Sequence, residues 1–196
     1  MAQMINYTMQ DFVDLLAGRE LLVKAECYGK EEVNIQNLTY DSKEVTENTL
    51  FICKGAAFKE EYLKEALQKG AIGYVSEKRY DTCEDVPYMI VDDIRKAMAV
   101  LADKFFNSAW EDIHVIGIGG TKGKSTSVYY MKAIVDDYLE AQGKRDSAVI
   151  SSIDIYDGVI SKESHITTPE AVELQGHIRN AVESGMEFVQ MEVSSQ

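Results

Sequence analysis

Ile113-His114-Val115-Ile116-Gly117-Ile118-Gly119-Gly120-Thr121-Lys122-Gly123-Lys124-Ser125-Thr126 decides how this 196-residue chain is read. An apolar run rich in β-branched residues predicts a buried strand and the glycine cluster a tight turn. Lys124-Ser125-Thr126 then opens a helical pattern running to about Leu139. Strand, glycine turn, Lys-Ser and helix in this order read as a phosphate-binding loop. Glycines let backbone N–H groups approach phosphate oxygens, and the helix N-terminus adds its positive end. Lys124 is placed to reach the β- and γ-phosphates of a nucleotide, and the Ser125 hydroxyl to ligate Mg²⁺. The general spacing G-x-x-x-x-G-K-[ST] would put its first glycine at Ile118. The candidate loop is therefore Gly120, Thr121, Lys122, Gly123, Lys124, Ser125 and Thr126. A glycine-rich strand-to-helix turn with a surface lysine is the competing structural reading.

Downstream of this loop the alternation continues. Ala148–Ile153 reads as a strand, Asp157-Gly158 as a turn, 169–184 as a helix and 187–193 as a final strand, an α/β and mainly parallel pattern. Thr168 suits the N-cap of that helix, Pro169 its first position and Gly185 its C-terminal end. Upstream, Met9–Leu22 has helical spacing after Thr8 as N-cap, and Asn37–Ser42 is a short strand running into a turn. Thr49–Cys53 is a buried strand, Lys59–Lys69 a helix stopped by Gly70, and Ile72–Val75 and Tyr88–Val91 are strands. Asp92 or Asp93 can cap a helix from Ile94 to Phe106. Asn107-Ser108-Ala109 is a short polar junction, which divides the chain into domains 1–109 and 110–196 near Trp110.

Composition narrows the functional classes. An apolar content of 45% is ordinary for a globular protein. A net charge of −13 argues against a nucleic-acid surface, so phosphate must be held by local N–H groups, a few lysines and Mg²⁺. The odd number of widely spaced cysteines, Cys27, Cys53 and Cys83, suggests neither a disulfide framework nor a zinc site. The absence of a long apolar run, and of signal-peptide character in Met1–Gln10, leads to the expectation of a cytoplasmic protein that engages no membrane.

Glu192 lies near the end of the last strand pattern. In open α/β sheets ligands collect at the carboxyl ends of strands, so Glu192 can face the loop and hold Mg²⁺; a solvated strand-end glutamate fits the same residues. Capping alone explains Thr168 and Pro169, and a local turn explains Asp41-Ser42-Lys43. His114, His165 and His177 have neither metal-ligand spacing nor a visible nucleophile.

Four groups of residues, taken in order, resemble the Mur ligases, and within them the MurE type. They are Tyr40-Asp41-Ser42-Lys43 with 50–55, Gly120–Thr126, Thr167-Thr168-Pro169-Glu170, and Met191-Glu192-Val193-Ser194-Ser195. The resemblance covers nearly the whole chain but only part of the family's length. It implies a small N-terminal α/β domain that binds the UDP-muramyl substrate, followed by an incomplete, mainly parallel P-loop ATPase-type sheet domain. The implied reaction is ATP-dependent addition of L-lysine or meso-diaminopimelate to UDP-N-acetylmuramoyl-dipeptide in peptidoglycan precursor synthesis, through an acyl phosphate. Lys122 and the Ser194-Ser195-Gln196 ending resemble the lysine-adding branch more closely.

By the same resemblance, the Gly120–Thr126 loop with Lys124 binds ATP, Ser125 and Glu192 hold Mg²⁺, and Lys124 and Glu192 are the catalytic pair. Ser42, Thr167, Thr168 and Ser194 contact the UDP-muramyl substrate. Ile166 departs from the asparagine that precedes the two threonines in some members. A monomer is expected, and the stretch ending at Gln196 is expected to lack amino-acid addition on its own. Two other readings fit the loop: another ligase sharing it, such as a folylpolyglutamate synthetase, and a non-catalytic fragment that binds a nucleotide or UDP-sugar.

Overall fold

The computed structural model describes residues 7–55, 58–80 and 83–194. The chain divides into two compact units, one ending at Phe105 and the other beginning at Phe106.

In the first unit α1 (Met9–Gly18), β1 (Leu22–Glu26), β2 (Asn37–Thr39), β3 (Thr49–Ile52), α2 (Glu60–Gln68), β4 (Ala71–Ser76), β5 (Tyr88–Val91) and α3 (Ile94–Phe105) follow in order. One sheet results, ordered β1-β5-β4-β3-β2, parallel except for β1 against β5. Thr8 and Asp11 form a reciprocal capping box at the start of α1, and Met9, Phe12 and Leu16 turn inward at helical spacing. The helix expected to reach Leu22 stops at Gly18. Leu22–Glu26 instead pairs with β5, a ladder that local periodicity cannot reveal. Phe51, Leu63, Ala66, Tyr74 and Tyr88 form the core between sheet and helix. Cys27, Cys53 and Cys83 are buried and free; burial, with Cys83 close by, pushes the Cys53 thiol well above its ordinary value.

The second unit opens with a 3₁₀ turn at Ala109–Asp112. It continues through β6 (His114–Gly119), α4 (Lys124–Glu140), β7 (Ala148–Ile150), β8 (Asp154–Tyr156), β9 (Ser161–Glu163), α5 (Ala171–Glu183) and β10 (Phe188–Val193). The sheet order is β6-β10-β7-β8-β9, with β10 parallel to both neighbours and β8 and β9 added antiparallel. The strand expected over Ala148–Ile153 ends at Ile150. There the Ser151 N–H donates to the Asp154 carbonyl at 3.0 Å and the chain reverses into β8.

Val189 and Met191 of β10 pack with Ile150, Ile178 and Ala181, so α5 covers that face. Strand alternation turns Gln190 and Glu192 the other way, and α4 packs against β10 as well. At the far end, Asp157 ties the β8–β9 turn to α5. Its Oδ1 accepts from the Val159 and Ile160 N–H groups, and its Oδ2 lies 2.6 Å from His177 Nδ1 and 2.9 Å from Asn180 Nδ2. His177 is thus the satisfied core histidine, while His114 and His165 are exposed. No helix among the described residues is long and apolar enough to cross a membrane.

Candidate functional site

The strand–turn–helix forms where the residues predict it, but β6 is not the buried strand expected: it stands at one edge of the sheet among the described residues, exposed or half-buried along its length, because only β10 pairs with it. β6 ends at Gly119, and α4 begins at Lys124 with Gly123 as its N-cap at φ 78°, a left-handed conformation that favours glycine. No side chain caps this end, so the first N–H groups of α4 are presented to whatever occupies the loop. Lys124 Nζ folds back to donate to the Gly120 carbonyl at 3.0 Å. Thr121, Lys122 and Thr126 are exposed.

Register brings the other candidates to the same end of the sheet. Glu192 is the β10 partner of Ile118, one residue before Gly119, and Met191 is the partner of Ile150 at the end of β7. Three strand ends therefore converge. The Glu192 side chain is 1% exposed, and its Oε1 accepts from the Ser152 N–H at 2.9 Å and the Ser152 hydroxyl at 3.0 Å. The Ser152 hydroxyl in turn lies 3.4 Å from that of Ser125, so a single hydroxyl links the loop serine to the strand-end carboxylate.

Around this chain of oxygens Tyr129 of α4 donates to Asp154 and lies 3.3 Å from Ser151 Oγ. Burial pushes the Tyr129 phenol up, and the Asp154 carboxylate pushes it further.

Thr168 corrects the reading of its motif. Glu170 is the N-cap of α5, in a capping box with Glu173, and Thr168 takes no part in it. The Thr168 hydroxyl instead donates to the Glu192 carbonyl at 3.0 Å, accepts from the Ser194 N–H at 3.0 Å and lies 3.1 Å from Ser194 Oγ. Glu192, Thr168 and Ser194 are brought together, and Thr167 adjoins them half-buried.

Ser42 belongs to the first unit. It is 7% exposed, and its hydroxyl donates to Glu65 Oε2 at 2.7 Å while Lys69 Nζ holds the Ser42 carbonyl at 2.9 Å. Lys69 first, and Ser42 with it, hold the Glu65 carboxyl below its ordinary range. The Lys43 N–H donates to Asp41 Oδ1 at 2.8 Å, the local turn expected there.

Mg²⁺ fits these donors. Among the described residues, a buried carboxylate without a cationic partner stands one hydroxyl from the loop serine, and both are hard oxygen ligands. Among the described residues no cluster of three or more His, Cys, Asp or Glu side chains could hold a metal, so the protein donors offered here are one carboxylate and one hydroxyl.

The sequence from Ile118 onward matches the Mur ligase middle domain. Residues 118–196 belong to that family. Over 195 residues, the middle-domain match included, the chain is 36% identical to the UDP-N-acetylmuramyl-tripeptide synthetase of Lactobacillus delbrueckii subsp. bulgaricus, covering 98% of this chain and 37% of that protein. It is 39% identical over 169 residues to a UDP-N-acetylmuramoyl-L-alanyl-D-glutamate–L-lysine ligase of Streptococcus pneumoniae serotype 2, covering 86% and 34%.

A solved UDP-N-acetylmuramoyl-L-alanyl-D-glutamate–2,6-diaminopimelate ligase shares the fold with a TM-score of 0.68 at 18% identity, over 97% of this chain and 36% of that one. The chain thus spans 37% of the length of the first of these relatives. The expected family and α/β fold are both met. Within the Mur ligase middle domain, residue-by-residue reading missed Ser152, Tyr129 and Asp154. For Ser152 and Asp154 the one local signal was their place just past the end of the parallel strand β7, and Tyr129, inside α4, gave none.

Proposed function

We propose that this chain is the substrate- and nucleotide-binding part of an ATP-dependent ligase. That ligase adds the third amino acid, L-lysine or meso-diaminopimelate, to UDP-N-acetylmuramoyl-L-alanyl-D-glutamate. The observation that carries the reading is the junction at Glu192. Its carboxylate reaches the phosphate loop through Ser152 and Ser125, while its carbonyl is held by Thr168, the candidate substrate threonine. The lysine reading is supported by the similarity to the pneumococcal lysine ligase.

The first unit suits the UDP-linked substrate. A cavity of about 800 Å³ opens at the carboxyl ends of β3, β4 and β5, with the rings of Phe58 and Tyr80, the bases Lys78 and Arg95 and the carboxylates of Glu77, Asp92 and Asp93 in its lining. That volume and place are those of a ligand site in a parallel sheet.

In this reading the α4 N-terminus and Lys124 hold the ATP phosphates and neutralise charge that develops on the γ-phosphoryl group. Bound Mg²⁺, held by Ser125 and Glu192, supplies further neutralisation. The substrate carboxylate attacks the γ-phosphorus, giving an acyl phosphate and ADP. The amine of the incoming amino acid then attacks the acyl carbon and phosphate leaves. Thr167, Thr168, Ser194 and Ser42 orient the UDP-muramyl peptide and exchange no proton with it.

The test is a pair of titrations on the purified chain, with a non-hydrolysable ATP analogue plus Mg²⁺ and with UDP-N-acetylmuramoyl-dipeptide. Both are expected to saturate. Lys124→Ala is expected to abolish the first and spare the second. Undiminished analogue binding by a folded Lys124→Ala variant overturns the phosphate-loop reading, and a chain that ignores the UDP-linked ligand overturns the substrate assignment.

A further inference from the structure

The turn after β7 is held at more points than a surface connection requires. Ser151 Oγ accepts from the Ile153 and Asp154 N–H groups at 3.1 Å each and donates to the Asp154 carbonyl at 3.0 Å; Tyr129 reaches across from α4 to Asp154. This locked turn presents Ser152, whose N–H and hydroxyl both end on Glu192 Oε1. Two donors on one oxygen fix the carboxylate's rotation and leave Oε2 to meet a cation. The hydroxyl also lies within 3.4 Å of Ser125, the other candidate ligand, although the two ligands come from α4 and β10 and share no element of their own.

We propose that Ser152 is the positioning residue of the cation site, holding Glu192 in register with Ser125 before the metal–nucleotide arrives; this rests on the ligase reading above. Groups that orient a metal ligand are worth about 10–100-fold in metal affinity. Ser152 needs no contact with nucleotide or substrate to act. Its effect falls on the Mg²⁺ dependence of nucleotide binding and not on phosphate binding as such.

The experiment titrates Mg²⁺ into the chain with a non-hydrolysable ATP analogue, and the analogue alone without metal, for wild type, Ser152→Ala, Ser152→Thr and Glu192→Gln. Ser152→Ala keeps the backbone bond and loses the hydroxyl. It is expected to weaken Mg²⁺ about tenfold while leaving metal-free analogue affinity unchanged, and Ser152→Thr is expected to restore the response. Glu192→Gln is expected to remove the Mg²⁺ response.

Wild-type Mg²⁺ affinity in Ser152→Ala overturns the proposal, and so does an equal loss with and without metal, which marks a merely structural serine. A full Mg²⁺ response in Glu192→Gln, or a wild-type chain that binds the analogue no better with Mg²⁺, overturns the underlying cation site and the Ser152 role with it.

Discussion

Asp157→Asn changes one atom in a buried side chain of the second unit that joins the β8–β9 turn to α5. The carboxylate is 0% exposed, and each of its oxygens serves two donors, Val159 and Ile160 on Oδ1, His177 and Asn180 on Oδ2. An asparagine has one acceptor oxygen, so its NH₂ faces either the fixed N–H donors of Val159 and Ile160 or His177 and Asn180, which can accept from it only by a change of tautomer and an amide flip. A lost hydrogen bond to a charged group counts for about 1.5–3 kcal/mol and a buried unpaired donor for about 1–3 kcal/mol, not fully additive. The expected destabilisation at pH 7 is therefore about 2–4 kcal/mol.

The effect should depend on pH with a definite sign. Burial opposes ionisation of Asp157, but the bonds from Ile160, Asn180, His177 and Val159 outweigh it and hold the carboxyl below its ordinary range. A depressed carboxyl stabilises the fold above its unfolded value of about 3.9 and loses that contribution as pH falls through the folded value. The gap between wild type and variant should hold at neutral pH and narrow below about pH 4. Urea unfolding followed by fluorescence of Trp110, the chain's single tryptophan and a residue of this unit, measures it. A gap under about 0.5 kcal/mol at pH 7, or one that persists unchanged into acid, refutes the reasoning.

Gln190 is 0% exposed with neither side-chain polar atom hydrogen-bonded, so Gln190→Leu is expected to stabilise the second unit by about 1–3 kcal/mol; a lower melting temperature would contradict this. Thr168→Ala leaves the Glu192 carbonyl and Ser194 N–H without their shared hydroxyl. It should cost about 1–2 kcal/mol and weaken the UDP-muramyl ligand more than the ATP analogue; loss of stability alone would make the threonine structural. Ser42→Ala should likewise weaken the UDP-linked ligand and leave the ATP analogue unaffected in paired titrations.

The phosphate loop was legible because every signal for it is local: an apolar strand, glycines at the turn, and a lysine and serine opening a helix. The parts that were not legible depend on partners far along the chain. Leu22–Glu26 has little burial contrast, and only its pairing with β5 makes it a strand. Ser161–Glu163 is exposed at every residue and is held as β9 by its pairing with β8. At Thr168-Pro169-Glu170 the local rule favoured the threonine as cap. The end of β10 competes for that hydroxyl, and Glu170 with Glu173 serves the helix instead. Ser152 could not be singled out, since a serine after a strand is unremarkable until Glu192 is known to stand beside it.

Residue 192 is bonded from two directions, and the two bonds differ in what a gene can change. The carboxylate toward Ser152 is encoded, whereas the carbonyl toward Thr168 belongs to the backbone and survives any substitution there. Glu192→Gln is therefore a separation-of-function allele: it erases charge on the nucleotide side and keeps the tie to Thr168. No matching allele exists at 168, because losing that hydroxyl loosens the peptide unit on which Glu192 rides. In a screen scoring the two ligands separately, lesions at 192 should fall among the single defects and lesions at 168 among the double ones.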